Sequence, residues 1–383
     1  MNVLFLSQGT TLDTHPGWHW ALNQLQHEGV IENFLNIPYI GYAQKYGWKA
    51  FFDHAVALCQ RSHYDVVYFQ HWHGGANSAP EKEIESCIGQ LSKLVPRPII
   101  LTSCGDPYSH TFFQPHYPKC FRVMSRLADI TFSSQMGLAA DKMMSWGTQN
   151  IVFTPLAACP VRFKPSPIDT QTHSFEFDVV WIGNRNQARN PLNRNFFQGR
   201  HRAHVVRALE SAYGKQFGLF GYDWAGMKSW RGQVPFDEQQ SYFRKGRVVV
   251  DARALSFADY YASDRPFYIA ISGVPLVMCR TPRFDRILRA NDQCYFVDSP
   301  EETVETCNRL LKSDPEELYA KAAQAASYVA EHHTQYHRLK FKLDTAMRYR
   351  ANRNQLDVRF PFFLPEVDVQ DETRYAVRRK ANS

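Results

Sequence analysis

Short apolar runs alternate with longer amphipathic segments along most of the chain. The runs are rich in β-branched and aromatic residues and end in Gly, Ser, Thr, Asn or Asp, as strands buried on both faces often do. The segments between them space their apolar residues at three and four positions, which is typical of helices. This alternation predicts an α/β protein built from parallel strands and crossover helices.

The pattern also places the elements and suggests two domains, which a length of 383 residues favours. We expect an amino-terminal α/β domain at 1–160, a linker rich in Pro, Ser and Thr at 161–175, a second α/β domain at 176–337, and a carboxyl-terminal helix and tail at 338–383. Strands are predicted at 3–7, 65–70, 98–102, 130–133, 151–154, 177–182, 217–221, 248–251, 274–279 and 295–297. Helices are predicted at 81–94, 137–146, 202–213, 266–272, 300–313 and 315–331.

Composition changes this picture in three ways. The 44 Lys and Arg residues exceed the 37 Asp and Glu residues, and the resulting net charge of +7 suits an anionic ligand. The eight cysteines contain no Cys-x-x-Cys pair, so we expect them to be reduced and structural. The chain begins without a basic leader and has no apolar stretch near the about 20 residues that cross a bilayer. We therefore expect a cytoplasmic protein without a transmembrane segment.

Two strand-end segments of the second half have the residues of an anion site, because parallel sheets bind ligands at the carboxyl ends of their strands. After the strand at 177–182, Gly183 permits close backbone approach and Arg185 supplies a charge. Further on, Ser263 or Asp264 is a predicted cap for a helix that has Pro in its first turn and ends before Gly273. With Arg265 added, this helix start predicts a diphosphate site; a capped structural helix and an ordinary surface turn are the alternatives.

The second half resembles a known family. The segments FDVVWIGN, FGLFGYDW, GQVPFDEQQSYF, VVVDAR, DRPFYIAISGVPLV and EHHTQYHR occur between about residues 177 and 340. Their order and spacing resemble those of the carboxyl-terminal domain of spore-maturation (CgeB-like) glycosyltransferases. The first half resembles that family more loosely, through MNVLFLSQG, YDVVYFQHWHGG, ILTSCGDP and ADITFSS.

The resemblance implies a GT-B glycosyltransferase. Such an enzyme has two Rossmann-like domains facing a cleft, a carboxyl-terminal helix or tail that returns toward the first domain, a nucleotide diphosphate sugar held mainly by the second domain, and an acceptor received mainly by the first. Tyr268 stands where related enzymes commonly have the Glu that holds the donor ribose, which leaves donor identity and a retaining Glu-x7-Glu arrangement open. The donor-binding residues implied or predicted are Gly183, Asn184, Arg185, Gly232, Val234, Pro235, Arg253, Asp264, Arg265, Phe267, Tyr268 and Gly273.

Three strand-end segments of the first half offer a base for the acceptor hydroxyl. Asp106 follows the strand at 98–102, and His71 and His73 follow the strand at 65–70; all three are predicted catalytic candidates. The loop predicted after the first strand offers Asp13, His15 and His19. For each of these residues, packing or simple polar satisfaction is the alternative.

The sequence motifs favour neither a metal site nor a resident cofactor. His71 with His73, and His333 with His337 at helical spacing, could each supply two zinc ligands, but neither pair has a third partner nearby in sequence. The chain has no Asp-x-Asp, no Gly-x4-Gly-Lys-Ser/Thr and no Gly-x-Gly-x-x-Gly motif. We therefore predict a metal-independent transferase without a resident cofactor.

The acceptor stays open at this point. The basic segment 185–202, predicted to be a long loop, suits a polyanion such as DNA, teichoic acid or an anionic glycan, with a solvated insertion as the alternative. The sequence thus predicts transfer of a sugar to a glycan or other hydroxyl polymer, with inversion favoured. A phage-type enzyme that glycosylates a hydroxymethylated base in DNA is the second hypothesis. A non-catalytic nucleotide- or sugar-binding module is the third.

Overall fold

The computed structural model describes residues 1–72, 76–105, 109–111, 114–185, 194–252 and 259–356. The chain divides into two compact units. Unit 1 comprises Met1–Pro155 and the chain from Gln335 onward, and unit 2 comprises Leu156–Thr334. The backbone therefore crosses between the units twice.

Unit 1 is built on a six-stranded parallel sheet with the strand order β2-β1-β3-β4-β7-β8, accompanied by the antiparallel hairpin β5-β6. The strands are β1 (Asn2–Ser7), β2 (Asn33–Pro38), β3 (Val66–Phe69), β4 (Ile99–Cys104), β5 (Ser109–Thr111), β6 (Gln114–His116), β7 (Ile130–Ser133) and β8 (Ile151–Phe153). The helices are α1 (Pro16–His27), α2 (Tyr39–Tyr46), α3 (Trp48–Arg61), α4 (Glu81–Leu91), α5 (Lys119–Leu127), α6 (Leu138–Ser145) and the last helix of the described chain, α12 (Gln335–Ala351).

Unit 2 has a five-stranded parallel sheet with the order β10-β9-β11-β12-β13. Its strands are β9 (Phe177–Ile182), β10 (Phe217–Phe220), β11 (Gly246–Asp251), β12 (Leu276–Cys279) and β13 (Tyr295–Val297). Its helices are α7 (Arg194–Tyr213), α8 (Gln239–Phe243), α9 (Arg265–Ile271), α10 (Pro300–Leu311) and α11 (Pro315–His332).

Both faces of the unit 1 sheet are buried, which explains the unbroken apolar runs of its central strands. Along β1, Val3 and Phe5 pack in one hydrophobic cluster, whereas Leu4 and Leu6 pack in another on the opposite face. The helix α12 closes the first of these clusters with an apolar stripe that includes Leu339, Leu343 and Ala346. The last helix thus belongs to unit 1 although it follows unit 2 in sequence.

All ten predicted strands are present, but two predicted loops were wrong and several elements were not predicted. The sequence pattern missed the edge strand β2 and the helices α1, α2, α3 and α5. The predicted loop around His15 and His19 is largely the start of α1. The predicted basic loop 185–202 is helical from Arg194, while 186–193 lies outside the described residues. The segment 161–175, predicted to be a linker, is irregular and buries Phe163 and Ile168.

The cysteines and the lengths of the apolar helices were also the subject of predictions. All eight cysteines lie in described parts of the chain and are free thiols, seven of them buried. Among the described residues, no helix is both long enough and apolar enough to cross a membrane.

Candidate functional site

The carboxyl ends of β9 and β11 form the topological switch point of unit 2. The chain leaves β9 toward β10 on one side, and β11 lies on the other side, so the connections diverge between these two strands. Ligands of open α/β sheets bind in the crevice at this place. Gly183 follows β9 directly, and Asp251 is the last residue of β11.

Hydrogen bonds fix both the backbone N–H and the carbonyl of Gly183. Its N–H donates to the carbonyl of Phe220 at 3.0 Å, and its own carbonyl accepts from the indole N–H groups of Trp224 at 2.6 Å and Trp181 at 3.3 Å. Both indoles are buried, so these bonds are shielded from water. Gly221 must also be glycine, because a Cβ on it would lie 2.3 Å from the carbonyl oxygen of Gly183.

Arg265, the first residue of α9, lies against Gly183. A Cβ built on Gly183 would be 3.0 Å from Nη1 of Arg265, so the missing side chain is what admits the guanidinium. The same Nη1 forms an ion pair with the buried carboxylate of Asp251 at 2.5 Å. Packing and pairing thus hold Arg265 at the switch point, with 19% of its side chain still exposed.

Arg202 is a second cation at this place, and sequence reasoning did not include it among the site residues. It lies on α7 with 4% exposure, and its Nη1 donates to the carbonyl of Asn184 at 2.7 Å. Its Nε is buried and has no hydrogen-bond partner among the described residues. Burial and the neighbouring charge of Arg265 lower the pKa of Arg202 to about 10, against the opposing effect of Asp251. One carboxylate therefore faces two guanidinium groups, which leaves a site with net positive charge.

Asn184 and Arg185 lie at the same edge of the unit 2 sheet. The side-chain oxygen of Asn184 accepts from the backbone N–H of Tyr222 at 3.0 Å, and the N–H of Arg185 donates to the carbonyl of Tyr222 at 3.1 Å. Gly232 joins through its carbonyl, which accepts from Gly221 at 2.9 Å. The structure thus brings five predicted residues to one edge: Gly183, Asn184, Arg185, Gly232 and Arg265. Val234, partly exposed, and Pro235, exposed, follow in the extended segment before a short 3-10 turn at Phe236–Glu238.

The predicted cap of α9 was wrong in its chemistry. Asp264 stands at the cap position, but its side chain does not bond the helix backbone. Instead, its carboxylate accepts a short hydrogen bond from the hydroxyl of Tyr268. The helix ends as expected: Gly273 follows it with φ +71°, and a Cβ there would lie 2.5 Å from the carbonyl oxygen of Ser166.

Phe267 and Tyr268 are both packed inside unit 2. Phe267 is fully buried and stacks on the ring of His333 at 5.3 Å. Tyr268 is 4% exposed and stacks on Phe163 at 4.1 Å, and burial raises its pKa well above the usual value. Phe267 therefore anchors α9 in the interior of unit 2, and the Tyr268 hydroxyl holds the carboxylate of Asp264.

His71 lies at the corresponding edge of unit 1, in the turn after β3. Its backbone is left-handed, with φ +54°, and a Cβ on Gly105 would lie 2.0 Å from Cε1 of its ring. The imidazole therefore packs directly on the residue that follows β4. The other two catalytic candidates of this unit, His73 and Asp106, lie outside the described residues, as does Arg253 in unit 2.

The third loop and the second histidine pair are not arranged as predicted. Asp13 is exposed in a one-turn 3-10 helix, and His15 and His19 lie at the start of α1. His333 and His337 do not share a helix, because α11 ends at His332 and α12 begins at Gln335. Within the described parts of the chain, no group of three or more His, Cys, Asp or Glu side chains is placed to hold a metal ion.

Part of the chain matches a known protein family. Residues 200–344 match the family model described as "Glycosyl transferase-like". No curated protein matches the sequence. The matched segment begins just before Arg202 and includes α9, so it contains both arginines of the site.

Solved structures match over nearly the whole chain. One is an alpha-glucosyltransferase in complex with UDP and a 13-mer DNA containing a HMU base, with 13% identity, a TM-score of 0.61, and coverage of 90% of this chain and 99% of that one. Another is HepE from Anabaena in complex with UDP-glucose, with 11% identity, a TM-score of 0.53, and coverage of 91% and 99%. The chain therefore has the GT-B fold, as the sequence predicts, and its residues 200–344 are similar to a glycosyl transferase-like family.

Proposed function

We propose that this chain transfers a sugar from a UDP-sugar to a hydroxyl acceptor and binds the donor diphosphate at Gly183, Arg202 and Arg265. The observation that carries the proposal is the excess positive charge at the unit 2 switch point. Among the described residues, the guanidinium groups of Arg202 and Arg265 face the buried carboxylate of Asp251, and the buried Nε–H of Arg202 has no hydrogen-bond partner. A diphosphate would supply the missing negative charge and acceptor oxygens.

UDP is the donor nucleotide that we propose, since both fold relatives named above were solved with UDP or UDP-glucose. The narrower relation to CgeB-like enzymes belongs to the same proposal and rests on the sequence motifs between about 177 and 340. We place the uracil near Gly232, Val234 and Pro235, beside the edge that carries Asn184.

We propose that the carboxylate of Asp264 holds the donor ribose, in place of the Glu that related enzymes commonly have at the position of Tyr268. The two residues are four positions apart on one turn of backbone, and the tyrosine hydroxyl fixes the carboxylate of Asp264. An ionised carboxylate accepts hydrogen bonds from two ribose hydroxyls. Asp264→Asn should therefore weaken UDP binding more than binding of inorganic pyrophosphate, which has no ribose. Equal losses for both ligands would contradict this role.

The proposed reaction forms a bond between the acceptor oxygen and the anomeric carbon and breaks the bond from that carbon to the diphosphate. The acceptor proton passes to a base, for which His71, His73 and Asp106 are the candidates. Arg202 and Arg265 stabilise the charge that develops on the leaving diphosphate. We propose direct displacement with inversion and without a metal. The anomeric coupling constant of the product and turnover in EDTA test these two points.

The first experiment is a thermal-shift screen with UDP, GDP, TDP, CDP and ADP. A ligand that binds only the folded protein raises the melting temperature by mass action. We expect UDP to give the largest shift and Arg265→Ala to abolish it. UDP binding without turnover of any UDP-sugar, tested with glycan and hydroxymethylated-DNA acceptors, would support the non-catalytic binding module instead.

DNA is the second acceptor that we propose to test, because one fold relative was solved with a modified DNA duplex. A DNA acceptor requires contacts to backbone phosphates, so its affinity should fall steeply with salt. Binding of a hydroxymethylated duplex that is insensitive to salt, or no binding at all, would favour a glycan acceptor.

A further inference from the structure

Lys342 is a buried lysine in unit 1 that the proposed chemistry does not use. It lies on α12 with 5% exposure. Within the described residues, its ammonium meets the rings of Trp18, Tyr68 and Phe132 at 5.1 to 5.5 Å rather than a carboxylate. Burial, with a smaller effect of Arg338, lowers the pKa of Lys342 to about 7. A buried cation of this kind is costly, so its contacts call for an explanation.

A chain of three hydrogen bonds leads from Lys342 to the backbone of His71. Lys342 Nζ donates to the hydroxyl oxygen of Tyr68 at 2.7 Å, and the Tyr68 hydroxyl donates to Oγ of Ser103 at 2.8 Å. The backbone N–H of His71 donates to the same Oγ at 2.8 Å. In its protonated form Lys342 can only donate, which directs the Tyr68 hydroxyl proton toward Ser103. Such chains polarise each member in turn.

This chain ends on a backbone that needs support. A left-handed conformation is disfavoured for a residue with a side chain. His71 adopts it at φ +54°, and its carbonyl accepts from the hydroxyl of Tyr39 at 3.0 Å. The next residue, Trp72, donates its N–H to the carbonyl of Ser103 at 2.8 Å. Ser103 therefore holds two consecutive residues of the turn after β3.

We infer that Lys342 and Tyr68 are positioning residues that act through Ser103 to fix His71, and with it the acceptor side of the proposed enzyme. The geometric part of this inference is independent of the proposed function. Its catalytic consequence rests on the proposed function, because His71 is one of the candidate bases of that reaction. A purely structural Lys342 would support α12 and leave the His71 turn unaffected by its loss.

The backbone amide of His71 is the direct probe. In protein labelled with ¹⁵N-histidine, each of the 15 histidines gives an amide signal, and loss of one signal in His71→Gln identifies His71. Ser103→Ala should move its amide proton furthest upfield, because the acceptor is deleted. Tyr68→Phe and Lys342→Met should shift it in the same direction by less. Lys340→Met, on the same helix but half-exposed and paired with Glu28, should leave it unchanged.

Kinetics provide the second readout. In Tyr68→Phe, kcat for transfer should fall about tenfold, the size expected for one buried hydrogen bond, while the Kd for UDP in unit 2 stays within about twofold. Tyr68→Phe removes a single oxygen, so it serves in place of Lys342→Met if that variant does not fold.

Each result bears on a different part of the inference. A His71 signal that moves in Ser103→Ala but stays in both Tyr68→Phe and Lys342→Met would overturn the roles of Lys342 and Tyr68. A signal that stays in all three would overturn the whole inference. Absence of turnover by the wild type would count against the proposed function, and the amide shifts would still decide the positioning.

Discussion

The two sheets share one strand order at their switch points but place opposite chemistry there. In unit 2, the crevice between β9 and β11 is bordered by Gly183 and the pair Asp251–Arg265. In unit 1, the crevice between β1 and β3 is bridged by the neutral side chain of Gln70, whose oxygen accepts from the N–H of Gln8 at 2.9 Å. Among the described residues, the same strand order thus places charged side chains at the switch point of unit 2 and an amide side chain at that of unit 1.

The basic side chains of the two units also differ in where they lie. Arg202 and Arg265 stand at the strand ends of unit 2, where a ligand charge can meet them. Lys342 lies on the helix α12 and reaches its strand edge only through the hydroxyls of Tyr68 and Ser103. A charged edge suits an anionic donor, and the described hydrogen-bonding groups at the unit 1 edge suit a hydroxyl acceptor. This difference supports the division of labour proposed for the two units.

Loss of Arg265 should have the largest effect. Arg265→Ala removes a charged contact to the diphosphate and the ion-pair partner of the buried carboxylate of Asp251, which costs about 3–5 kcal/mol of stability. UDP affinity should fall about 100-fold, measured by calorimetry. In the double variant with Asp251→Asn, stability should recover while affinity stays low. Recovery of both would mean that Arg265 supports the fold only.

Arg202→Met should separate binding from stability. The variant removes a buried charge and keeps an apolar side chain of similar length, so the unfolding free energy should stay constant or rise. UDP affinity should fall about tenfold or more, because one charge-assisted contact is lost. Arg207→Met is the control, since Arg207 lies on the exposed side of the same helix. Equal UDP affinities in the two variants would remove Arg202 from the site.

Lys342 should make the stability of unit 1 depend on pH. Its pKa is about 7 in the folded protein and 10.5 ordinarily, so between these values the unfolded chain binds a proton that the folded chain has released. The unfolding free energy therefore rises with pH in this window, by at most about 1.4 kcal/mol per unit.

Denaturant titrations between about pH 7 and pH 8.5 measure this slope. The wild type and Lys340→Met should share it, because interactions with Tyr336 and Glu28 raise the pKa of Lys340 and move its titration above the window. Lys342→Met should have a smaller slope. Identical slopes in all three proteins would show that Lys342 does not titrate in this range.

Gly183→Ala should have the smallest effect. The new methyl group would lie 3.0 Å from the guanidinium of Arg265, which must shift by a few tenths of an ångström. We expect a loss of UDP affinity of a few fold, in line with a displaced charged contact. Gly89→Ala, in a helix where nothing lies within 4 Å of the added atom, should leave UDP affinity unchanged. An unaltered Kd in Gly183→Ala would mean that the guanidinium is not held at that position when UDP binds.

The strands were predictable where burial made their sequence unambiguous. The runs that form β7, β9 and β13 are buried at nearly every position, and their observed bounds equal the predicted ones. β2 was missed because it is an edge strand that leaves alternate residues exposed and contains two asparagines. Edge strands lack the continuous apolar signal that central parallel strands carry.

The site was predictable only where local chemistry decides it. Gly183 and Arg265 stand at a strand end and a helix start, both of which are visible in the sequence. Arg202 was missed as a site residue because its importance comes from burial beside Asp251, which is 49 positions further along the chain. The cap at Asp264 was predicted wrongly because a tyrosine hydroxyl competes for the carboxylate, and that contact depends on tertiary packing against Phe163.

The most direct test of a donor site built from Arg202 and Arg265 is the calorimetric comparison of UDP with UMP. The wild type should bind UDP at least about tenfold more tightly than UMP, since the second phosphate meets the charged edge. In the double variant Arg202→Met/Arg265→Ala, this preference should disappear while weak UMP binding persists. Equal affinities for UDP and UMP in the wild type, or an unchanged preference in the double variant, would contradict the assignment.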